Sequence, residues 1–301
     1  MGGVIDGCPA GLKIDHQFIQ KELARRATAS TTSASQRKEA DVVEFLSGVL
    51  NDVTLGTPIA FMVRNTDARP EDYESMKAVF RPSHADYCYQ QKYGIRDYRG
   101  GGRASARTTL PVVVAGAIAK QWLLERHVAI HAEVESIGGE MDPERIETLL
   151  RECREQGDTV GGIVRGSIKG LPAGLGVPMF DKFQACLAKA MFSIPAVKGF
   201  EYGDGFAMAA MKGSVANDNL TMADDGSVCF LSNHSGGVQG GITNGEEVRF
   251  RVAFKPIPTL GKGNRHDVCA LPRATVIVEA MAALTTLDAF LLNGEGFCRR
   301  I

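Results

Sequence analysis

Residues 110–126, LPVVVAGAIAKQWLLER, decide what kind of body this chain can build. Val112 to Val114 would suit a strand, because β-branched side chains pack well on a pleated surface. The Ala- and Leu-rich continuation and the length of the run favour a helix. Other helical segments lie on both sides. Asp15 can cap a helix whose Phe18, Ile19 and Leu23 share a face. Asp142-Pro143 begins another, with Ile146, Leu149, Leu150 and Cys153 at helical spacing. PMFDKFQACLAKAMFSI (178–194) and PRATVIVEAMAALTTLDAFLL (272–292) read as long helices, each starting with Pro.

Strand candidates are interleaved with these helices: PIAFMVRN (58–65), VAIHAEVESI (128–137), GGIVRGSIKG (161–170) and EVRFRVAFKP (247–256). In the last, Val248, Phe250, Val252 and Phe254 alternate with Glu247, Arg249, Arg251 and Ala253, the period of a half-buried strand. Asn244-Gly245 just before it suits a tight turn. TASTTSASQ (28–36) is the one low-complexity patch and reads as a loop. No linker separates two halves, so the reading is one mixed α/β body over residues 1–301.

The 301 residues are 44% hydrophobic and 23% charged, a globular composition long enough to bury a core without staples. The formal net charge of −1 supplies no global field towards nucleic acid or membrane. The run around Leu110 to Ala119 is about half of the roughly 20 residues a bilayer span needs. No secretory leader opens the sequence. The seven scattered cysteines, without a CxxC pair, argue against a disulfide framework and a zinc site. A reduced, cytoplasmic protein without membrane or nucleic-acid partners is the expectation.

Against that neutral background, RPSHADYCYQQKYGIRDYRGGGRASARTT (81–109) holds six Arg or Lys, one His and four Tyr, offset only by Asp86 and Asp97. Arg81, Arg96, Arg99, Arg103 and Arg107 offer planar donors suited to phosphate or carboxylate oxygens. Gly100 to Gly102 let a ligand approach the backbone, and a helix starting near Thr108 would add its N-terminal field. His84 can pass protons near neutral pH. The bland reading is a solvated basic loop, and a single-stranded nucleic-acid segment is a further alternative. A small phosphorylated ligand fits better, because the Arg-Gly unit occurs once. SNHSGGVQGGITNG (232–245) is equally readable as a ligand loop or as turns leading into the strand at 247. Arg265-His266-Asp267 can present a cation and a carboxylate before a helix. No GxSxG elbow and no HExxH or HxE…PCxxC pattern is present.

Taken together, RPSHADYCYQQKYGIRDYRGGGRASART, AVKGFEYGDGF, NHSGGVQGGITNG, VAFKP and RHDVCALPRATVIVEAMAALTTLD resemble the chorismate synthase family, from GGVIDGCPAG to the last helix. The resemblance implies an α+β fold, a β-α-β sandwich with two antiparallel-type sheets around a helical layer, assembled as a homotetramer. It implies conversion of 5-enolpyruvylshikimate 3-phosphate to chorismate and phosphate with reduced FMN, the flavin being reduced either with NADPH by the enzyme itself or by an outside reductant. His84 and Asp267 would handle protons, with Ser105 at the reaction centre. Arg103, Ala104, Ser105, Ala196, Gly240, Lys255, Pro256, Ile257, Pro258, Thr259 and Arg265 would line the flavin. Arg26, Arg81, Arg107 and Arg265 would hold the substrate's phosphate and carboxylates.

Three departures from the family accompany the match. Family chains carry a strand and a Gly-Glu-Ser-His-Gly motif before the part matching GGVIDGCPAG, and this sequence does not. The family's RRxPG stretch reads Arg25-Arg26-Ala27-Thr28-Ala29. The loop between Pro256 and Arg265 is short. A truncated version of a normal enzyme is the expectation; a flavin-binding but inactive remnant is the alternative.

Overall fold

A computed structural model describes residues 1–27, 41–64, 74, 77–99, 102–224, 226, 228–261 and 267–294. The low-complexity patch at 28–36 and the Arg265-His266 pair lie outside the described residues. The chain opens with β1 (Gly2–Ile5), α1 (His16–Ala27), β2 (Val43–Phe45), the short β3 (Val49–Leu50) and β4 (Val53–Thr54), and β5 (Ile59–Val63). Next come α2 (Asp86–Tyr93), α3 (Leu110–Leu124), β6 (Ala129–Ile137), α4 (Pro143–Gln156), β7 (Gly162–Lys169) and α5 (Phe183–Phe192). The last third holds β8 (Val197–Tyr202), the single turn α6 (Gly213–Ala216), β9 (Leu220–Met222), β10 (Val228–Phe230), β11 (Val238–Gln239) and β12 (Ile242–Thr243). It closes with β13 (Val248–Phe254) and α7 (Leu271–Leu292).

The two larger sheets are antiparallel, ordered β1-β5-β2 and β6-β7-β13-β8. α7 packs on β6 and β7 and against α1, α3 and α5, while α3 reaches across to β1. Helices thus lie between two sheets, the α+β sandwich that the sequence resemblance implied.

Residues 110–124 are helical despite their valines. Leu110, Val113, Val114, Ala117, Ile118, Ala119, Trp122 and Leu123 are all buried, as a helix apolar all round must be. Its contact with α7 is close enough to demand glycine: a Cβ on Gly116 would sit 2.4 Å from that of Ala280. Further along the same crossing, Trp122 meets Phe290 edge to face at 5.5 Å.

Local chemistry sets the ends of the elements. Asp15 Oδ1 accepts from the amides of Gln17 and Phe18, and Asp142 Oδ1 from those of Glu144 and Arg145, so both caps form as expected. The alternation in β13 is also realised, with Val248, Phe250, Val252 and Phe254 buried. Phe250 lies opposite Gly166 on β7, and its ring fills the space a side chain there would need.

One helix is shorter than predicted. α5 starts at Phe183, not Pro178, because Phe180 is left-handed (φ 59°) and Lys182 is extended. The Phe183 amide is drawn onto the carbonyl of Gly241, a tie that no local pattern reveals.

The helical layer encloses charge as well as hydrocarbon. Arg25 Nη1 donates to Glu22 Oε1 (2.8 Å) and Glu279 Oε2 (2.7 Å), and its Nη2 donates to Glu279 Oε1 (2.8 Å). Lys120 Nζ donates to both carboxylates. Glu279 Oε1 also accepts from the backbone amide of Ala132 on the outer edge of β6 (3.0 Å). Burial pushes the Glu279 carboxyl up, but Arg25 and Lys120 outweigh it and hold it below its ordinary value. α7 is long and apolar enough to cross a bilayer, yet here most of it is buried and its Glu279 is ion-paired within the layer.

Candidate active site

A cleft of roughly 670 Å³ opens where the ends of α1, α3, α5, β13 and α7 converge. Arg26, at the C-terminal end of α1, forms one wall. The 81–89 turn and α2 form the second, and the 103–107 turns leading into α3 the third. Pro195 and Ala196, Lys255 with Ile257 to Thr259, and Asp267 with Arg273 complete it.

The 103–107 wall is made of two 3-10 turns, Gly102–Ala104 and Ala106–Thr109, that wind directly into α3. Ser105 caps the second, its Oγ accepting from the Arg107 amide at 3.2 Å. Arg107 Nη2 reaches Asp41 Oδ1 (3.4 Å), and Arg26 Nη1 reaches Asp41 Oδ2 (3.3 Å). Asp41 is buried between the two guanidiniums, so one carboxylate spaces two cleft cations.

The RPSHAD turn is folded around Asp86, the first residue of α2. Asp86 Oδ2 accepts from Arg81 Nε (2.7 Å) and the Arg81 amide (3.2 Å), and Oδ1 from Arg81 Nη2 (3.0 Å). Burial alone would raise this carboxyl. The Arg81 hydrogen bonds and the neighbouring His84 outweigh that and hold it at about 2. His84 Nδ1 lies 3.0 Å from Asp86 Oδ1, but off the line of a hydrogen bond. Burial, then Arg81, pushes the His84 imidazole below its ordinary pKa, opposed by Asp86. From the far side, Lys255 Nζ donates to the carbonyl of Ser83, which is left-handed at φ 55°. Ala196 is left-handed too (φ 72°), and its carbonyl accepts from the Lys255 amide at 2.9 Å. Such backbone costs energy and is held by its surroundings. Here both strained residues line the cleft.

The lining carries seven Arg or Lys side chains (Arg26, Arg81, Arg103, Arg107, Lys198, Lys255, Arg273) against two carboxylates, Asp41 and Asp267. That excess favours a ligand with several negative charges, and the walls limit the water that would screen it.

Most of the residues singled out in the sequence meet here: Arg26, Arg81, His84, Arg103, Ala104, Ser105, Arg107, Ala196, Lys255, Ile257, Pro258, Thr259 and Asp267. Pro256 is exposed between lining neighbours and does not itself face the cleft. Gly240 lies apart, in the β11–β12 turn beside Gly241, whose carbonyl starts α5. The cleft begins beyond the other end of that ten-residue helix, roughly 15 Å away at 1.5 Å per residue. Gly236, Gly237, Gly240 and Gly241 are all left-handed or beyond, and Gly236 packs directly on Gly203, so this stretch serves as turns within the chain. Arg265, Gly100 and Gly101 lie outside the described residues.

Sequence reasoning missed Asp41, Lys198, Arg273 and the role of Asp86. Arg273 Nη2 stands 3.4 Å from Asp267 Oδ1, in the first turn of α7. Asp86 was visible as the only acid near His84. Asp41 carried no signal, since its partners are distant in the chain.

The chorismate synthase family model matches residues 1–264. A chorismate synthase of Porphyromonas gingivalis is 46% identical, covering 99% of this chain and 92% of that protein. One from Christiangramia forsetii is 49% identical over 97% of this chain and 92% of its own length. A solved chorismate synthase crystal structure superposes with a TM-score of 0.80 at 32% identity, covering 98% of this chain and 89% of that one.

Proposed function

The chain belongs to the chorismate synthase family, lyases that form chorismate in aromatic biosynthesis, and from that premise we propose how its cleft does so. The reaction is a 1,4-anti elimination of phosphate and a ring proton from 5-enolpyruvylshikimate 3-phosphate, with reduced FMN bound beside the substrate. The reduced flavin, when bound, supplies an electron that eases phosphate departure and recovers it afterwards.

The chain's own residues do the rest. Arg26, Arg81 and Arg107 hold the phosphate and carboxylates, and stabilise the phosphate as charge builds on it. Arg103, Ala104, Ser105, Ala196, Lys255 and Ile257 to Thr259 hold the flavin, with the left-handed Ala196 and the Ser105-capped turn as its backbone cradle. His84, whose imidazole is held below its ordinary pKa by burial and Arg81, gains proton affinity as an anionic ligand enters, and so handles a proton at Nε2. Asp267 assists removal of the ring proton. Arg265 belongs to both ligand sets.

The observation that carries this reading is the cleft's charge: seven cations around one histidine suit a substrate with a phosphate and two carboxylates beside an anionic flavin. The protein acts as one domain in a cytoplasmic homotetramer, its flavin reduced with NADPH or by an external reductant. The β9–β10 hairpin supports the assembly. It exposes Leu220, Met222, Val228 and neighbouring Leu231, and an isolated two-stranded hairpin is marginal in water.

An anaerobic assay with reduced FMN and 5-enolpyruvylshikimate 3-phosphate tests the proposal, following phosphate and chorismate together. Equimolar release is expected. Substrate-dependent flavin binding without release would identify a flavin-binding remnant. No binding at all, with RNA affinity that falls steeply in salt, would replace the lyase with a polyanion binder.

A further inference from the structure

The RPSHAD turn contains a buried carboxylate to which neither catalysis nor ligand binding assigns a part. Asp86 is 3% exposed and does not line the cleft, yet it touches two residues that do. Three of its contacts are hydrogen bonds from one arginine: the amide, Nε and Nη2 of Arg81. The guanidinium is therefore gripped along one edge, in the fork geometry that fixes its plane. The same Oδ1 lies 3.0 Å from His84 Nδ1 and 3.5 Å from Arg96 Nη1.

Arg96 extends the grip. Its Nη2 donates to the carbonyls of Lys77 and Val79, and its guanidinium stacks over Phe80 at 5.2 Å. Among the described residues, the edge-to-face contact of Phe80 with Tyr87 adds to this hold. Ala85, the residue before α2, supplies no side-chain cap, and the eight-residue helix has no apolar face to bury. The turn therefore depends on Asp86 from below and on the Lys255–Ser83 bond from above.

The geometry points to Asp86 as a positioning residue that sets Arg81 and His84 as one unit in the cleft, so that the phosphate-binding fork and the proton-handling ring share a single anchor. This rests on the roles given above to Arg81 and His84. A carboxylate facing Nδ1 favours a proton there and leaves Nε2 to face the ligand. Among the described residues, the charged groups that weigh most on the ring are Arg81 and Asp86 of its own turn and Lys255 from beyond β13. Of these only Asp86 favours the imidazolium.

The test is a histidine NMR titration of the full chain labelled at imidazole carbon, without substrate or flavin, with His84→Ala to assign the signal. In Asp86→Asn the His84 midpoint is expected to fall by roughly one pH unit, since the nearest favourable charge is gone. In Asp86→Glu the charge remains but is displaced by one methylene, so the midpoint should stay close to wild type. Steady-state kinetics should then show KM for the phosphorylated substrate rising and kcat falling in both variants, each by roughly tenfold or more.

An unchanged His84 midpoint in Asp86→Asn overturns the proposal. So do wild-type kinetics in Asp86→Glu, which remains decisive if the asparagine variant does not fold. Should the wild-type protein form no chorismate, the reading of the cleft fails, while the titration still decides whether Asp86 governs His84.

Discussion

Arg25 and Arg26 are consecutive on α1, yet they serve regions with opposite charge rules. Arg25 turns into the helical layer, where two cations meet two carboxylates and every charge has a partner. Arg26 turns into the cleft, where seven cations meet two carboxylates. The closed set belongs to folding: buried ions are tolerable only when paired and hydrogen-bonded, and their removal leaves an uncompensated charge. The open set belongs to binding: its surplus is offset when an anion arrives. The contrast makes the two regions separable by experiment.

The largest effect should come from the closed set. Glu279→Ala leaves two buried cations, Arg25 and Lys120, to share Glu22 alone and strands the Ala132 amide, and should cost about 3–5 kcal/mol in denaturant unfolding. A loss below about 1 kcal/mol would mean that the layer does not depend on its ions. His84→Ala, in the open set, should lower kcat at least a hundredfold, about 2.7 kcal/mol. Stability and FMN affinity should change far less, and an equal fall in flavin affinity would remove His84 from its role.

Arg107→Ala should weaken substrate binding by about 1.5–3 kcal/mol, read as KM, with a smaller change in unfolding because Arg26 still faces Asp41. Unaltered KM would place the phosphate elsewhere. Asp86, the closed charge at the cleft wall, sharpens the comparison through pH. Its carboxyl is held at about 2, below its value in the unfolded chain. The stability it contributes is therefore complete above roughly pH 4 and is lost as pH falls towards 2. Asp86→Asn should remove about 2 kcal/mol from the difference in unfolding free energy between pH 6 and pH 2. Smallest should be the response to salt. Raising it from 50 to 500 mM should lift KM a few-fold through screening of the open set, while the melting temperature barely moves.

Much of this was legible in the amino-acid order because its causes are local. Asp15 and Asp142 mark helix starts by chemistry within three residues, and the β13 alternation declares its buried face. The cleft walls are contiguous motifs, so recognising RPSHAD or RASAR locates several side chains at once. What stayed hidden depends on distance along the chain. Glu279 and Arg25 are 254 residues apart, and Arg107 and Asp41 are 66 apart, so no window contains both partners. The late start of α5 has the same origin, since Gly241 dictates it from another turn. β1 and β2 also went unread, being four and three residues long and partly exposed.

The bond from the Ala132 amide to Glu279 has a consequence for solubility. A four-stranded sheet has two flanks, and an open flank is a template on which another chain can add a strand. On the β6 flank, a helix-borne carboxylate already occupies an outward backbone donor and is itself locked by two cations. An incoming strand would have to break that lock before gaining its first hydrogen bond there. The ion cluster that closes the helical layer thus also blunts one edge of the sheet against fibrous growth, leaving β8 as the flank to watch in destabilised variants.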